Sequence, residues 1–188
     1  MHMKKNKFIL LLISFFITSA VCVYAQSVSE GSNDKVSLNI VLYPIQTIVV
    51  NSNQKVFDLE YLSEEDYQSG VSTNQADHLT IYSTGAFNVN VESVDDKMMG
   101  KDKNIAVSDI KITASKGSNN NLPSVEYAAN VLLSAAATSL VRSKTGGVDQ
   151  TFDVMYEAAG DDKYINHYDV DDSPTVFTTT VTYSILAE

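Results

Sequence analysis

Lys35-Val-Ser-Leu-Asn-Ile-Val-Leu-Tyr-Pro-Ile-Gln-Thr-Ile-Val-Val50 is the stretch whose pattern decides the fold class. Val36, Leu38, Ile40 and Leu42 alternate with Ser37, Asn39, Val41 and Tyr43. A period of two marks a strand with one buried face. Pro44 has no N–H to give to a ladder, so it ends the first strand. Ile45 to Val50 then resumes as a second, more evenly apolar strand.

The same pattern recurs down the chain. Asn51-Ser52-Asn53 reads as a turn. Lys55 to Leu62 alternates again, with Phe57, Leu59 and Tyr61 against Asp58 and Glu60. Ser63 to Ala76 is polar and acidic and reads as a long loop. A helical turn can begin at Ser63, because Glu64, Glu65 and Asp66 suit a helix N-terminus. His78 to Val94 holds the strongest pair of strands, with Gly85 as the turn or bulge between them. Asp95 to Asn104 is a charged connection. Ile105 to Ala114 is a further strand, and Lys116 to Pro123 is a loop.

Val125 to Val141 is rich in alanine, which suits a helix. Its β-branched Val131, Thr138 and Val141 leave no clean helical stripe, which favours two short strands, Asn130 to Ser134 and Leu140 to Ser143. Gly146-Gly147 is a turn, and Phe152, Val154 and Tyr156 form the next strand. Ala158 to Ser173 is an acidic loop, and Thr175 to Leu186 closes the chain as a strand. The expectation is an all-β protein: an antiparallel Greek-key, immunoglobulin-like β-sandwich of about eight to ten strands. Its expected core is Leu79, Ile81, Phe87, Val89, Val91, Ile110, Ile112, Phe152, Val154, Val181, Tyr183 and Ile185.

The chain of 188 residues opens with the features of an export signal. Lys4, Lys5 and Lys7 precede an apolar run from Phe8 to Val23, and Val23-Tyr24-Ala25 offers a cleavage site. The run falls short of the roughly 20 apolar residues a spanning helix needs. Residues 1–25 are therefore expected to be cleaved, with no transmembrane segment in the mature chain. Residues 26–34 read as a flexible tail, and 35–188 as one domain, with 36–43 as a strand available for donation. Cleavage removes three lysines and no acids, so the formal charge of −10 becomes −13. Nucleic acid and anionic lipid are poor partners for such a surface. Cys22 is the only cysteine and leaves with the signal, so the domain is held without a disulfide.

Catalytic motifs are missing from the sequence. Gly-x-Ser-x-Gly, His-Glu-x-x-His and Gly-rich phosphate loops do not occur. Only His78 and His167 remain after cleavage to serve as a base. His78 reads as a polar residue at a strand edge, and His167 as a solvated residue of the acidic loop. Asp161-Asp162 and Asp169-Val-Asp171-Asp172 are fragments of a calcium loop, but the glycine and the bidentate Glu of an EF-hand are not in place. The expectation is no catalytic residue, no metal and no cofactor. The absence of tryptophan weakens a sugar platform, although tyrosines can serve.

The alternating Val36, Leu38, Ile40 and Leu42, then Pro44-Ile45 and Thr47-Ile48, resemble the start of chaperone–usher pilins. The colonisation-factor branch, which also lacks a disulfide, is the most similar. Thr175 to Leu186 resembles the last strand of such subunits, although Ala187 stands where many carry a tyrosine. The resemblance implies a structural subunit of a fimbrium that supports cell adhesion. It also implies strand exchange, in which Val36, Leu38, Ile40 and Leu42 enter a neighbour's sheet. The implied partners are copies of itself or related subunits, with a periplasmic chaperone and an outer-membrane usher. The implied location is the periplasm in transit, then the cell surface. The alternative is a monomeric secreted β-sandwich that binds a glycan or a protein ligand.

Overall fold

The computed structural model describes residues 32–188. The expected signal, 1–25, and most of the expected tail lie outside the described residues. The chain divides into two units, Met1–Val41 and Leu42–Glu188. In the first unit the described residues form neither strand nor helix, and neither do Leu42 to Ile45 of the second. The expected strand from Val36 to Tyr43 is thus not formed in the single chain. An isolated strand has no ladder partner, so its pattern alone cannot hold it in place.

The second unit is an all-β sandwich. One sheet has the order β1 (Gln46–Val50), β2 (Val71–Ser83), β10 (Gly147–Ala158), β6 (Ile110–Lys116) and β8 (Val131–Leu132). The other runs β11 (Val181–Ala187), β3 (Phe87–Ser93), β9 (Thr138–Ser143) and β7 (Val125–Tyr127). A small hairpin pairs β4 (Lys97–Met99) with β5 (Asn104–Ala106). Every pairing between the described strands is antiparallel.

The inward residues of both sheets form one core. Leu79 and Ile81 of β2, Phe152, Val154 and Tyr156 of β10, and Ile112 of β6 meet Phe87, Val89 and Val91 of β3 and Leu140 and Val141 of β9. Along β3, buried residues alternate strictly with half-buried ones, as a period of two requires. Nine of the twelve expected core residues are buried; Val181, Tyr183 and Ile185 are half-buried and pack against the cluster. Their strand, β11, lies at a sheet edge and is covered on fewer sides.

Several elements differ from the sequence reading. The expected loop at Val71 to Ala76 is the first half of β2. Its inward Val71 and Thr73 lie opposite Ala158 and Tyr156 of β10, so the partner strand supplies the apolar surface. Lys55 to Leu62 forms no strand, yet Phe57, Leu59 and Tyr61 do pack on the core. The alternation there marks an extended cover rather than a ladder. Val125 to Ser143 yields three short strands, β7, β8 and β9, rather than two. The charged connection after Val94 carries β4, and the expected strand from Ile105 to Ala114 is divided: Ile105 and Ala106 belong to β5 of the hairpin, Val107–Asp109 is a 3-10 turn, and β6 starts at Ile110.

The helical turn at Ser63 is a short helix, α1 (Glu64–Ser69). Ser63 and Asp66 form a reciprocal capping box, and Asp66 Oδ2 also accepts from the Leu62 N–H at 2.9 Å. The Ser63 hydroxyl and these backbone donors hold the Asp66 carboxyl below its usual range. At the other end Gly70 has φ +81°, and a Cβ there would sit 2.4 Å from the Ala158 carbonyl oxygen. Glycine is what lets α1 turn directly into β2 against the end of β10.

Candidate functional site

The expected donor residues stand in solvent. Val36, Leu38, Ile40 and Leu42 are 94, 88, 82 and 85 % exposed. Apolar surface in an unbroken row of this kind is an association hazard unless something covers it.

Each sheet has an edge strand with no further strand paired to it on one side. β1 ends one sheet and β11 ends the other. Asn51 N–H donates to His78 O at 2.8 Å and Thr84 N–H to Ile45 O at 3.0 Å. These bonds place the odd-numbered residues of β1 in the hydrogen-bonded positions opposite β2. The N–H and C=O groups of Gln46, Ile48 and Val50 therefore point away from β2. On β11, Val94 N–H donates to Thr180 O at 3.1 Å and Glu188 N–H to Ala86 O at 3.1 Å. Val181, Tyr183 and Ile185 accordingly turn their backbone groups away from β3. The two edges approach to within 8 Å between Cα atoms without pairing. A strand set between them needs about 9.6 Å, two spacings of a sheet.

Behind this seam lies a buried polar chain. His78 is only 2 % exposed, which corrects its reading as a strand-edge residue. The cause is a bulge in β2: Leu79 pairs with Phe152 and Gln75 with Val154, so three residues of β2 oppose Asp153 alone. Asp77, at φ +48°, makes the bend, and its N–H donates to Asp153 Oδ1 at 2.8 Å. The Asp77 carboxylate accepts from the Ser118 hydroxyl at 2.6 Å and from its N–H at 2.7 Å, which holds its pKa low. The bend turns His78 inward beside Leu79.

The protons in the chain can be placed. Gln54 Nε2 donates to Ala76 O at 2.8 Å, so its Oε1, 2.9 Å from His78 Nδ1, is the acceptor. Nδ1 carries the proton, and Nε2 accepts from the Tyr156 hydroxyl at 2.9 Å. Tyr156 accepts in turn from the Tyr183 hydroxyl, which carries the chain from one sheet to the other. Phe57 covers it, with its ring centroid 4.7 Å from that of Tyr156. Burial lowers the pKa of His78 and pushes that of Tyr156 up to about 12. Tyr183 is raised as well, by burial first and then by Tyr156. Both ring nitrogens of His78 are occupied, by an amide and a phenol, and the hydrogen-bonded chain joins the two sheets.

The acidic loop is held by bonds to the rest of the domain and by one of its own. Lys163 Nζ pairs with Asp109 at 2.6 Å, Lys103 Nζ donates to Asn166 O at 2.6 Å, and Asp171 N–H donates to Asp169 Oδ1 at 3.0 Å. Among the described residues no three His, Cys, Asp or Glu side chains converge in a group that can hold a metal ion. His167, expected in solvent, is half-buried, with its ring edge-on to Tyr164 and Phe177. Among the described residues no helix is long and apolar enough to cross a membrane. No family model matches the chain, and no curated protein matches it.

Proposed function

We propose that the chain is an exported structural subunit of a surface fibre, assembled by strand exchange and supporting adhesion. The observation that carries this reading is the exposure of Val36, Leu38, Ile40 and Leu42 on a segment with strand periodicity and no strand of its own. In a fibre that segment joins the open edge of another copy or of a related subunit. Backbone bonds to residues such as Val181, Tyr183 and Ile185 fix the register, and alternate side chains fill the seam. Each apolar side chain covered in this way contributes about 1.5–3 kcal/mol. The seam must widen to admit a strand, because two sheet spacings exceed the present approach of the two edges. A chaperone and an usher are the partners such assembly needs, because a bare apolar segment and an open edge invite premature association.

Electrophoresis without boiling tests this reading. The purified protein should run as a ladder of multimers that boiling collapses. Deleting Val36 to Leu42 should abolish the ladder and leave the β-sheet circular dichroism unchanged. A full-length protein that runs as a single band under both conditions contradicts the proposal.

A further inference from the structure

The hydrogen-bonded chain behind the seam has one fixed end and one free end. Gln54 Nε2 donates to Ala76 O at 2.8 Å, which pins the amide, so Gln54 Oε1 is an acceptor whatever the charge on His78. His78 Nδ1 therefore keeps its proton, and a second proton can enter only at Nε2, 2.9 Å from the Tyr156 hydroxyl. Nε2 then donates where it had accepted. The Tyr156 O–H must turn to the Tyr183 oxygen, and the Tyr183 O–H must turn away from Tyr156. Every bond of the chain survives with its direction kept or reversed, and the surplus donor appears at Tyr183. Among the described residues the Tyr183 hydroxyl is bonded to Tyr156 alone, so its proton is left to water. That end is also the one nearest solvent: His78 and Tyr156 are buried, and Tyr183 is half-buried on the edge strand β11.

The surroundings of the imidazole leave this path open. It is faced by Gln54 and Phe57 from the segment after β1, by Tyr156 of β10 and by Tyr183 of β11. Of these only the phenols titrate, and burial raises both. The acids at the bulge are engaged elsewhere, Asp77 with Ser118 and Asp153 with the Asp77 N–H. We infer that His78, Tyr156 and Tyr183 form an acid-sensitive relay between the sheets, in which a proton taken up at His78 Nε2 turns two phenols in succession and points the Tyr183 O–H out of the chain at β11. β11 is also the edge to which the proposed donor strand bonds, so the relay ends at the acceptor seam. That consequence rests on the strand-exchange reading; the relay itself does not.

The test is an NMR pH titration of the purified protein from pH 7.5 to 4, read at the histidine and tyrosine rings and at the backbone amides. The His78 ring should titrate in the folded protein. The Tyr183 ring and the amides of Thr182, Tyr183 and Ser184 should shift with the same midpoint. Tyr183→Phe removes the outlet and leaves the turned Tyr156 donor unpaired, so it should lower the His78 midpoint by about one pH unit, a tenfold loss of proton affinity. Tyr156→Phe should uncouple β11, so that Thr182 and Ser184 no longer follow His78. Circular dichroism at pH 7.5 checks that each variant is folded; where one is not, co-titration in the wild type decides. A His78 midpoint unmoved by Tyr183→Phe, β11 resonances that titrate apart from His78, or a His78 that takes up its proton only as the sheet signal is lost overturns the relay. None of these results bears on strand exchange, which the electrophoretic ladder tests separately.

Discussion

The Tyr156 hydroxyl lies 2.9 Å from His78 Nε2, and both side chains are buried between the sheets. This bond sits in the middle of the chain from Gln54 to Tyr183, so each end depends on it. Tyr156→Phe leaves the imidazole nitrogen unpaired in the interior, at a cost of about 1–3 kcal/mol. Tyr183→Phe removes only the outer donor, and the cost should be nearer 1 kcal/mol. Urea denaturation of the two variants checks the order; equal and negligible losses would show that the chain does not tie the sheets together.

The same histidine sets a pH dependence. Burial lowers its pKa below 6.5 in the folded state, while the unfolded chain keeps a value near 6.5. Below that pH the unfolded state binds more protons, so stability falls as the pH drops from 6.5 toward the folded pKa. Above 6.5 this contribution is complete and flat. His78→Gln should remove this component of the slope. Melting temperatures from pH 7.5 to 5, wild type against variant, measure it.

Burial ranks the aromatic and aliphatic positions. Phe87 and Phe152 are fully buried at the centre of the two sheets, and either alanine substitution should cost about 3–5 kcal/mol. Ile185 sits on the edge strand β11 and is half-buried. Ile185→Ala should cost less, about 1–2 kcal/mol, scaled down from a full core truncation. Chemical denaturation that ranked Ile185 level with Phe152 would mean that β11 is covered more fully than a sheet edge.

Gly70 joins α1 to β2 at φ +81°. An alanine there is strained by its backbone angle and meets the Ala158 carbonyl, so Gly70→Ala should destabilise by about 1–3 kcal/mol. Gly85, with open space around it, is the control, and Gly85→Ala should be nearly silent in the same thermal melt.

The fold is legible in the sequence wherever the period of two is undisturbed. β3 and β10 carry Phe87, Val89, Val91, Phe152, Val154 and Tyr156 in strict alternation, and they fold as that alternation predicts. The burial of His78 is hidden because the bulge at Asp77 breaks the period, and a left-handed aspartate leaves no mark in the hydrophobic pattern. The polar start of β2 hides its strand because its apolar surface comes from β10, far away in sequence. Lys55 to Leu62 misleads in the opposite direction, since alternation reports burial on one side and not a hydrogen-bonded neighbour. Val36 to Leu42 has the pattern of a strand, but a strand exists only where a partner completes its ladder.

That last segment carries the central claim, and one double substitution tests it. Leu38→Asp with Ile40→Asp places two carboxylates in the row that the proposal puts inside a neighbour's sheet. Burying them unpaired is strongly unfavourable. Both positions are exposed in the single chain, so the fold itself should be indifferent to the change. Size-exclusion chromatography and circular dichroism on the same sample read both effects. The account predicts a wild type that elutes as multimers and a double variant that elutes as a folded monomer with unchanged β-sheet signal. A wild type that is monomeric at high concentration, paired with a double variant that unfolds, would contradict it and return Val36 to Leu42 to the protein's own core.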